Sequence, residues 1–308
     1  MIEFGIRYWY SLLIPPFTDS LFLPGGIGIE IARMLLQNKV RCSPPKVHLH
    51  GVTSTFYSSF YSQASVIING RSERSTSAAT QRLRGEVPGA KIYVAIGDLS
   101  SAEGVSSFLL AVENVEAQVG QPVSVLVNNL GIFHNESFED ITDEKWQEYY
   151  QTNTMSGVRL SRHFLPKMLK RNSFGRIIFI SSEAALKPLP NMLAYGVSKT
   201  SQLSLSRGLS ELTKGKKNIT VNCVLPGPTM TDGLIDYMKG YASDHGFGDD
   251  IDAAVADYFK VHEPTSLIQR FLDPKEVAFA TVMLCSPLAS GINGTAQHAD
   301  GGIVRHIS

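Results

Sequence analysis

The sequence predicts an α/β protein built on a doubly wound parallel sheet, and three observations support that expectation. Short, almost uninterrupted apolar runs recur at residues 64–69, 92–96, 123–127, 176–180 and 219–224, the pattern of strands buried on both faces. Stretches of helical period separate them, as the connections of a parallel sheet require. The runs end in Asn69-Gly70, Asp98-Leu99, Asn128-Asn129, Ser181-Ser182 and Pro226-Gly227, which gathers polar groups at the carboxyl edge of the sheet, where open α/β folds bind ligands.

A chain of 308 residues, 43% of them hydrophobic, supplies the core of one large α/β domain. No internal repeat and no separate second domain is evident. We expect one domain over residues 25–308, preceded by an atypical segment, residues 1–24. That segment is apolar and aromatic, but Arg7, Pro15, Pro16 and Asp19 interrupt it. An unbroken apolar run of about 20 residues is missing, so no transmembrane helix is expected. No small-residue cleavage pattern marks a signal peptide, and the expected location is cytoplasmic. With 28 basic and 28 acidic residues the net charge is zero, which argues against nucleic acid or a membrane as partner. Cys42, Cys223 and Cys285 are odd in number and far apart, as in a reduced compartment without a disulfide framework. His48 and His50 complete no metal set.

Gly25-Gly-Ile-Gly28 leads into a helical stretch over residues 29–36. Such a start can set its first amides against a pyrophosphate, although a plain glycine turn has the same composition. The residues before it, with Pro15 and Pro16, make a poor buried strand. Residues 40–63 then separate this helix from the next strand by far more than a usual connection. Deleting them would join helix, turn and strand cleanly. A surface insertion is one reading. We favour a retained intron for residues 40–63, with residues 1–24 read through from another, because the Phe-, Ser-, Tyr- and Leu-rich sequence before Gln63 and Leu21-Phe-Leu-Pro24 before Gly25 is what pyrimidine-rich tracts encode. Transcript sequencing tests this: abundant full-length messages keeping both segments in phase would exclude it.

The chemistry centres on Ser182 and on Tyr195-Gly-Val-Ser-Lys199. Four residues apart on a helix, Tyr195 and Lys199 share a face. An isolated pair of this kind is usually a solvated helix face, but here a buried strand ending in two serines stands just upstream. A phenol titrates near 10, too high for a base at neutral pH, and a neighbouring ammonium lowers it. Tyr195 then becomes a usable general acid/base, and Ser182 can hold a substrate oxygen against it. Such a set suits carbonyl reduction or alcohol oxidation with a nicotinamide cofactor.

Asn128-Asn-Leu-Gly131, Asn153, Ser182, Tyr195 with Lys199, Pro226-Gly227 and Asp300-Gly-Gly302 occur in an order and spacing that resembles the short-chain dehydrogenase/reductase family. The resemblance runs from Gly26 to Gly302 and implies a Rossmann fold. It implies a catalytic set of Asn153, Ser182, Tyr195 and Lys199, with Asn153 helping to hold a water that links Lys199 to solvent. It assigns Gly26, Ile27 and Gly28 to the pyrophosphate, while Leu21 and Phe22 fall where the family carries threonine and its first glycine, so that half of the nucleotide site departs from the pattern. Arg71 stands beside the position of the family's acidic ribose ligand, so NADP(H) is favoured and NAD(H) is possible. A solvated loop arginine is the other reading. Asp98 and Leu99 match the adenine-binding pair, although Asp98 can also cap the helix beginning near Ser101. Asn128, Gly131, Tyr195 and Lys199 lie along the cofactor, and Pro226, Gly227 and Thr229 stand where the family contacts the nicotinamide carboxamide.

The resemblance also implies a small-molecule carbonyl or alcohol substrate and a homotetramer or homodimer, through the helix that carries Tyr195. Residues 231–270 leave the rhythm of the sheet, with helices expected around 234–241 and 251–261, and form a candidate substrate lid. Tyr237, Met238 and Phe259 could line an apolar pocket there or be core. The alternative is a catalytically impaired relative, a pseudoenzyme or mis-spliced product, because the first strand and glycine turn are abnormal.

Overall fold

A computed structural model describes residues 6–8, 11–14, 26–37 and 64–305. The insertion at 40–63, with Cys42, His48 and His50, lies outside the described residues, as does most of 1–24. In chain order the elements are β1 (Ile6–Tyr8), β2 (Ser11–Ile14), α1 (Gly26–Gln37), β3 (Ser65–Gly70), α2 (Glu73–Glu86), β4 (Lys91–Ile96), α3 (Ala102–Val119), β5 (Val125–Asn128) and β6 (Gly131–Phe133). They continue with α4 (Asp143–Tyr149), α5 (Ser156–Arg171), β7 (Gly175–Ile180), α6 (Leu193–Glu211), β8 (Ile219–Pro226), α7 (Asp232–Asp244), α8 (Ile251–His262), α9 (Pro274–Cys285) and β9 (Ala296–Ala299).

Seven strands form one sheet in the order β4-β3-β2-β5-β7-β8-β9. All neighbours are parallel except β2, which runs antiparallel to both β3 and β5. The slot between β3 and β5 must be filled, because their backbone groups there would otherwise be buried without partners. Ser11–Ile14 fills it, with Ser11 opposite Asn128 and Ile14 opposite Val125. The disturbed first strand is therefore a reversed strand, and its carboxyl end lies at the edge of the sheet away from Asn128. β1 pairs with β6 in a separate antiparallel ribbon.

Buried Val, Ile, Leu and Phe from β3, β5 and β7 make the central core, and helices cover both faces. Helix α1 contacts α2 and α9, whereas α3 contacts α5. Arg176, the second residue of β7, is fully buried; its guanidinium donates to the carbonyls of Gly175, Asn218 and Ser286 and to Ser290 Oγ. Among the described residues, no helix is long and apolar enough to cross a membrane.

Several boundaries correct the sequence expectations. Helix α1 begins at Gly26 instead of Ile29, with Gly26 at a φ of 60° that favours glycine. Ser101 caps α3 by accepting from Gly104 N–H, and Asp98 instead accepts from Ser100 N–H and Oγ–H at 3.0 and 2.6 Å. The last strand is β9 at Ala296–Ala299. Asn153 lies in a π turn, Tyr150–Met155, that joins α4 to α5.

The candidate lid comprises α7 and α8, packed on a core of their own that includes Met238, Tyr241, Phe259 and Phe271. Met238 and Phe259 are thus lid core, and Tyr237 is exposed beside the Tyr258 ring, 6.3 Å away between centroids. The chain leaving the lid rests on the closing turn, where Leu267 N–H donates to the Gly301 carbonyl at 2.9 Å.

Candidate active site

The ends of β5, β7 and β8 and the start of α6 meet at the carboxyl edge of the sheet. Strand β7 delivers Ser181 and Ser182 there. Ser181 Oγ donates to the Lys199 carbonyl at 2.9 Å, tying the end of β7 to α6. Ser182 caps the 3-10 turn Glu183–Ala185, its Oγ accepting from Ala184 N–H at 3.1 Å. The same hydroxyl donates to Glu183 Oε2 at 2.5 Å and stands beside the Tyr195 side chain. Helix α6 then places Tyr195 and Lys199 one turn apart. The Tyr195 ring tilts against Phe133, with centroids 5.9 Å apart. Lys199 Nζ lies 5.6 Å from the Tyr195 centroid and donates to the Ile180 carbonyl at 2.8 Å.

Asn153 sits in the π turn, a geometry that inserts a residue into a helix and is frequent at functional sites. Its buried amide pairs with the backbone of Ile132 in both directions, accepting from N–H at 2.8 Å and donating to C=O at 3.0 Å. It also donates to Ser198 Oγ at 2.8 Å, so it clamps β6 to α6. Its main-chain oxygen accepts from Gln202 Nε2 at 2.6 Å, and Gln202 Oε1 accepts from Lys199 Nζ at 3.4 Å. Gln202 therefore bridges the backbone of Asn153 to the lysine.

Burial dominates the electrostatics. It pushes the Tyr195 phenol far above its ordinary value, with the neighbouring Glu183 adding to the rise and the Ser182 hydrogen bond opposing it. Burial also lowers Lys199 to about 8 and raises Glu183 to about 7, the latter helped by Glu263. The expectation that Lys199 sets the phenol low does not hold in this geometry. The ammonium stands across the ring and its hydrogen bond goes to Ile180.

Two residues of this cluster, Glu183 and Gln202, are absent from the sequence expectations. Their signals were an acid directly after the Ser181-Ser182 strand end and an amide three residues beyond Lys199, on its helix face.

Of the residues expected to hold a nicotinamide dinucleotide, those at the ends of β3, β4, β5 and β8 line the same edge. Asn128 is only 2% exposed at the end of β5, and both amide atoms of its side chain lack a partner among the described residues. A buried amide rarely stays unsatisfied, so it points to a missing polar partner and fits a bound dinucleotide. A Cβ on Gly131 would sit 3.3 Å from Lys199 Nζ and 3.6 Å from Asn153 Oδ1, which keeps the backbone close over the lysine. Pro226 ends β8, and Thr229 Oγ1 donates to the Gly227 carbonyl at 2.8 Å. Gly26 and Gly28 are buried at the start of α1 and Ile27 is half-buried. Leu21, Phe22 and Gly25 fall outside the described residues. Arg71 is exposed just past β3, Asp98 is half-buried past β4, and the Leu99 side chain belongs to the core.

A Cβ on Gly227 would lie 2.7 Å from the Asp300 carbonyl oxygen, so β8 and the closing turn approach through backbone alone. Gly227→Ala is expected to cost about 1–3 kcal/mol through overpacking. Thermal unfolding of the variant checks this, and an unchanged midpoint would show that the turn yields freely.

A family model described as enoyl-(acyl carrier protein) reductase matches residues 60–304. The chain is 49% identical over 244 residues to the uncharacterized oxidoreductase YvrD of Bacillus subtilis, covering 79% of this chain and 88% of that protein. It is 41% identical, with the same coverage, to the uncharacterized oxidoreductase YvaG of the same organism. Among solved structures, it is similar to L-sorbose reductase from Gluconobacter frateurii complexed with NADPH and L-sorbose. That likeness has a TM-score of 0.75 and 28% identity, covering 94% of this chain and 97% of the other.

Proposed function

Because the chain belongs to the short-chain dehydrogenase/reductase family and is an NAD(P)-dependent hydride-transfer oxidoreductase, we propose that it reduces a small carbonyl compound, or oxidises the matching alcohol, with NADP(H) preferred over NAD(H). The observation that supports this best is the meeting of Ser182, Tyr195 and Lys199 beside the unpartnered buried amide of Asn128. Asn128 and Gly131 would lie along the dinucleotide, Gly26, Ile27 and Gly28 at its pyrophosphate, and Asp98 and Leu99 at its adenine. Pro226, Gly227 and Thr229 would face the carboxamide. The bound cofactor supplies or accepts the hydride.

Tyr195 gives its hydroxyl proton to the oxygen of the carbonyl being reduced, and Ser182 hydrogen-bonds that oxygen. A neutral phenol is the required state for this direction, and the raised titration of Tyr195 keeps it protonated at neutral pH. Lys199, which titrates near 8, is suited to pass a proton back toward the phenolate left behind. Asn153 and Gln202 hold the lysine in register. The reading treats residues 25–308 as one cytoplasmic domain with a lid over 231–270, assembled as a homotetramer or homodimer, which sedimentation would measure. The impaired alternative finds no support in relatives that are oxidoreductases over 79% of the chain.

Carbonyl-dependent oxidation of NADPH, screened with diacetyl, ethyl acetoacetate and L-sorbose, tests the reading. Turnover of at least one is expected, and failure with all three would count against it. Arg71 is the support for NADP(H), since a guanidinium matches a 2′-phosphate. Arg71→Asp is expected to weaken NADPH about tenfold or more while sparing NADH. The ratio of the two dissociation constants is the readout, and an unchanged ratio would move phosphate recognition elsewhere.

A further inference from the structure

Glu183 is a buried carboxyl beside the reacting groups, and the mechanism above leaves it unused. It follows Ser182 directly and faces groups from three elements. Lys187 comes from its own loop, Tyr195 and Lys199 from α6, and Tyr258 with the following Glu263 from the lid. Lys187, whose charge favours the ionised carboxyl, is already paired with the buried Glu263 carboxylate. Glu183 thus has Ser182 as its hydrogen-bonding side-chain partner, at 2.5 Å.

The hydrogen-bond capacity of Ser182 makes that contact decisive. A hydroxyl has one proton to donate and two lone pairs. One lone pair takes Ala184 N–H. If Glu183 is ionised, the single Ser182 proton goes to the carboxylate and is lost to the substrate oxygen. If Glu183 is protonated, its own O–H fills the second lone pair and the serine proton turns free.

We propose that Glu183 is a positioning residue, whose protonated carboxyl donates to Ser182 Oγ and so directs the serine proton onto the carbonyl oxygen being reduced. The inference rests on the reductase reading and deepens it. Its burial fits this role, since a carboxyl raised to about 7 stays largely protonated below neutrality. Deprotonation above that point turns Ser182 away and makes carbonyl reduction fall with rising pH.

Glu183→Gln tests it, because a carboxamide donates to Ser182 at every pH. With the fastest-reduced of diacetyl, ethyl acetoacetate and L-sorbose, kcat/KM is measured for both proteins from pH 6 to 8. The ratio of variant to wild type is expected to rise about tenfold across that range, the change in protonated fraction of a group titrating near 7. A constant ratio would overturn the role while leaving the reductase reading intact.

Thermal stability gives a readout independent of cofactor and turnover. A carboxyl raised in the folded state stabilises below its unfolded pKa, and that stability is lost as pH rises toward 7. The wild-type midpoint should therefore fall relative to that of Glu183→Gln over this window. Parallel profiles would mean that Glu183 is ionised throughout, and the inference fails. A wild type that oxidises no NADPH with any probe overturns the reductase reading itself, and the role assigned to Glu183 falls with it.

Discussion

Tyr195→Phe is expected to lower carbonyl reduction by about 10²–10⁴-fold, the usual worth of a positioned general acid, while NADPH affinity stays within about twofold because no cofactor contact in this account depends on the phenol oxygen alone. The substitution removes one atom. The ring keeps its packing against Phe133, and Lys199 keeps its bond to the Ile180 carbonyl. What disappears is the proton donor next to Ser182. Single-turnover rates with saturating NADPH separate the chemical step from product release, and the loss should appear in that step. Turnover retained within tenfold would mean that another group protonates the product oxygen, and the assignment of Tyr195 would be withdrawn.

Asn153→Ala is expected to damage both stability and activity. The side chain satisfies Ile132 N–H and C=O and bonds Ser198 Oγ, all within a buried site. Truncation leaves these groups without their partner, at a cost of about 2–4 kcal/mol for the set. Activity falls too, because Gly131 precedes Ile132 and packs against Lys199, so a shift of β6 moves the lysine. Denaturant unfolding and turnover should both respond. Lost activity with unchanged stability would restrict Asn153 to the proton path expected from the family resemblance. Unchanged activity in a destabilised protein would restrict it to clamping β6.

The parts of this fold that were legible in the sequence are those whose signal is local. Val66 to Ile68, Leu126 to Val127 and Ile177 to Phe179 are buried runs, and each became a central strand. Tyr195 and Lys199 needed only helical spacing to come together. Strand direction is different, since a tetrapeptide such as Ser11–Ile14 reads equally well both ways and only its neighbours decide its polarity. The π turn at Asn153 escaped because the apolar period on either side continues almost unbroken. Strand β9 carries Gln297 and His298 and is half-buried throughout, so it lacks the apolar run that marks the others. Met238 and Phe259 show why helical aromatic and sulfur-containing residues alone do not define a pocket, since a lid that folds on itself needs its own core.

Glu183 and Gln202 were hidden for another reason. Their role depends on which polar atoms they meet across the fold, and no spacing rule contains that information. The same holds for Asn128: its importance rests on two buried amide atoms without partners among the described residues, which only the packed structure reveals. The titration of Tyr195 shows the limit of pairwise reasoning. A lysine nearby was expected to lower the phenol, but burial and the adjacent carboxyl raise it.

This chain, with its reversed β2 and with Leu21 and Phe22 in place of the family's threonine and first glycine, is expected to bind and use a nicotinamide cofactor. A titration of the purified 308-residue protein with NADPH and, separately, NADH, followed by nicotinamide fluorescence, tests it most directly. Saturable binding of NADPH, tighter than that of NADH, is expected. Binding of neither would contradict it.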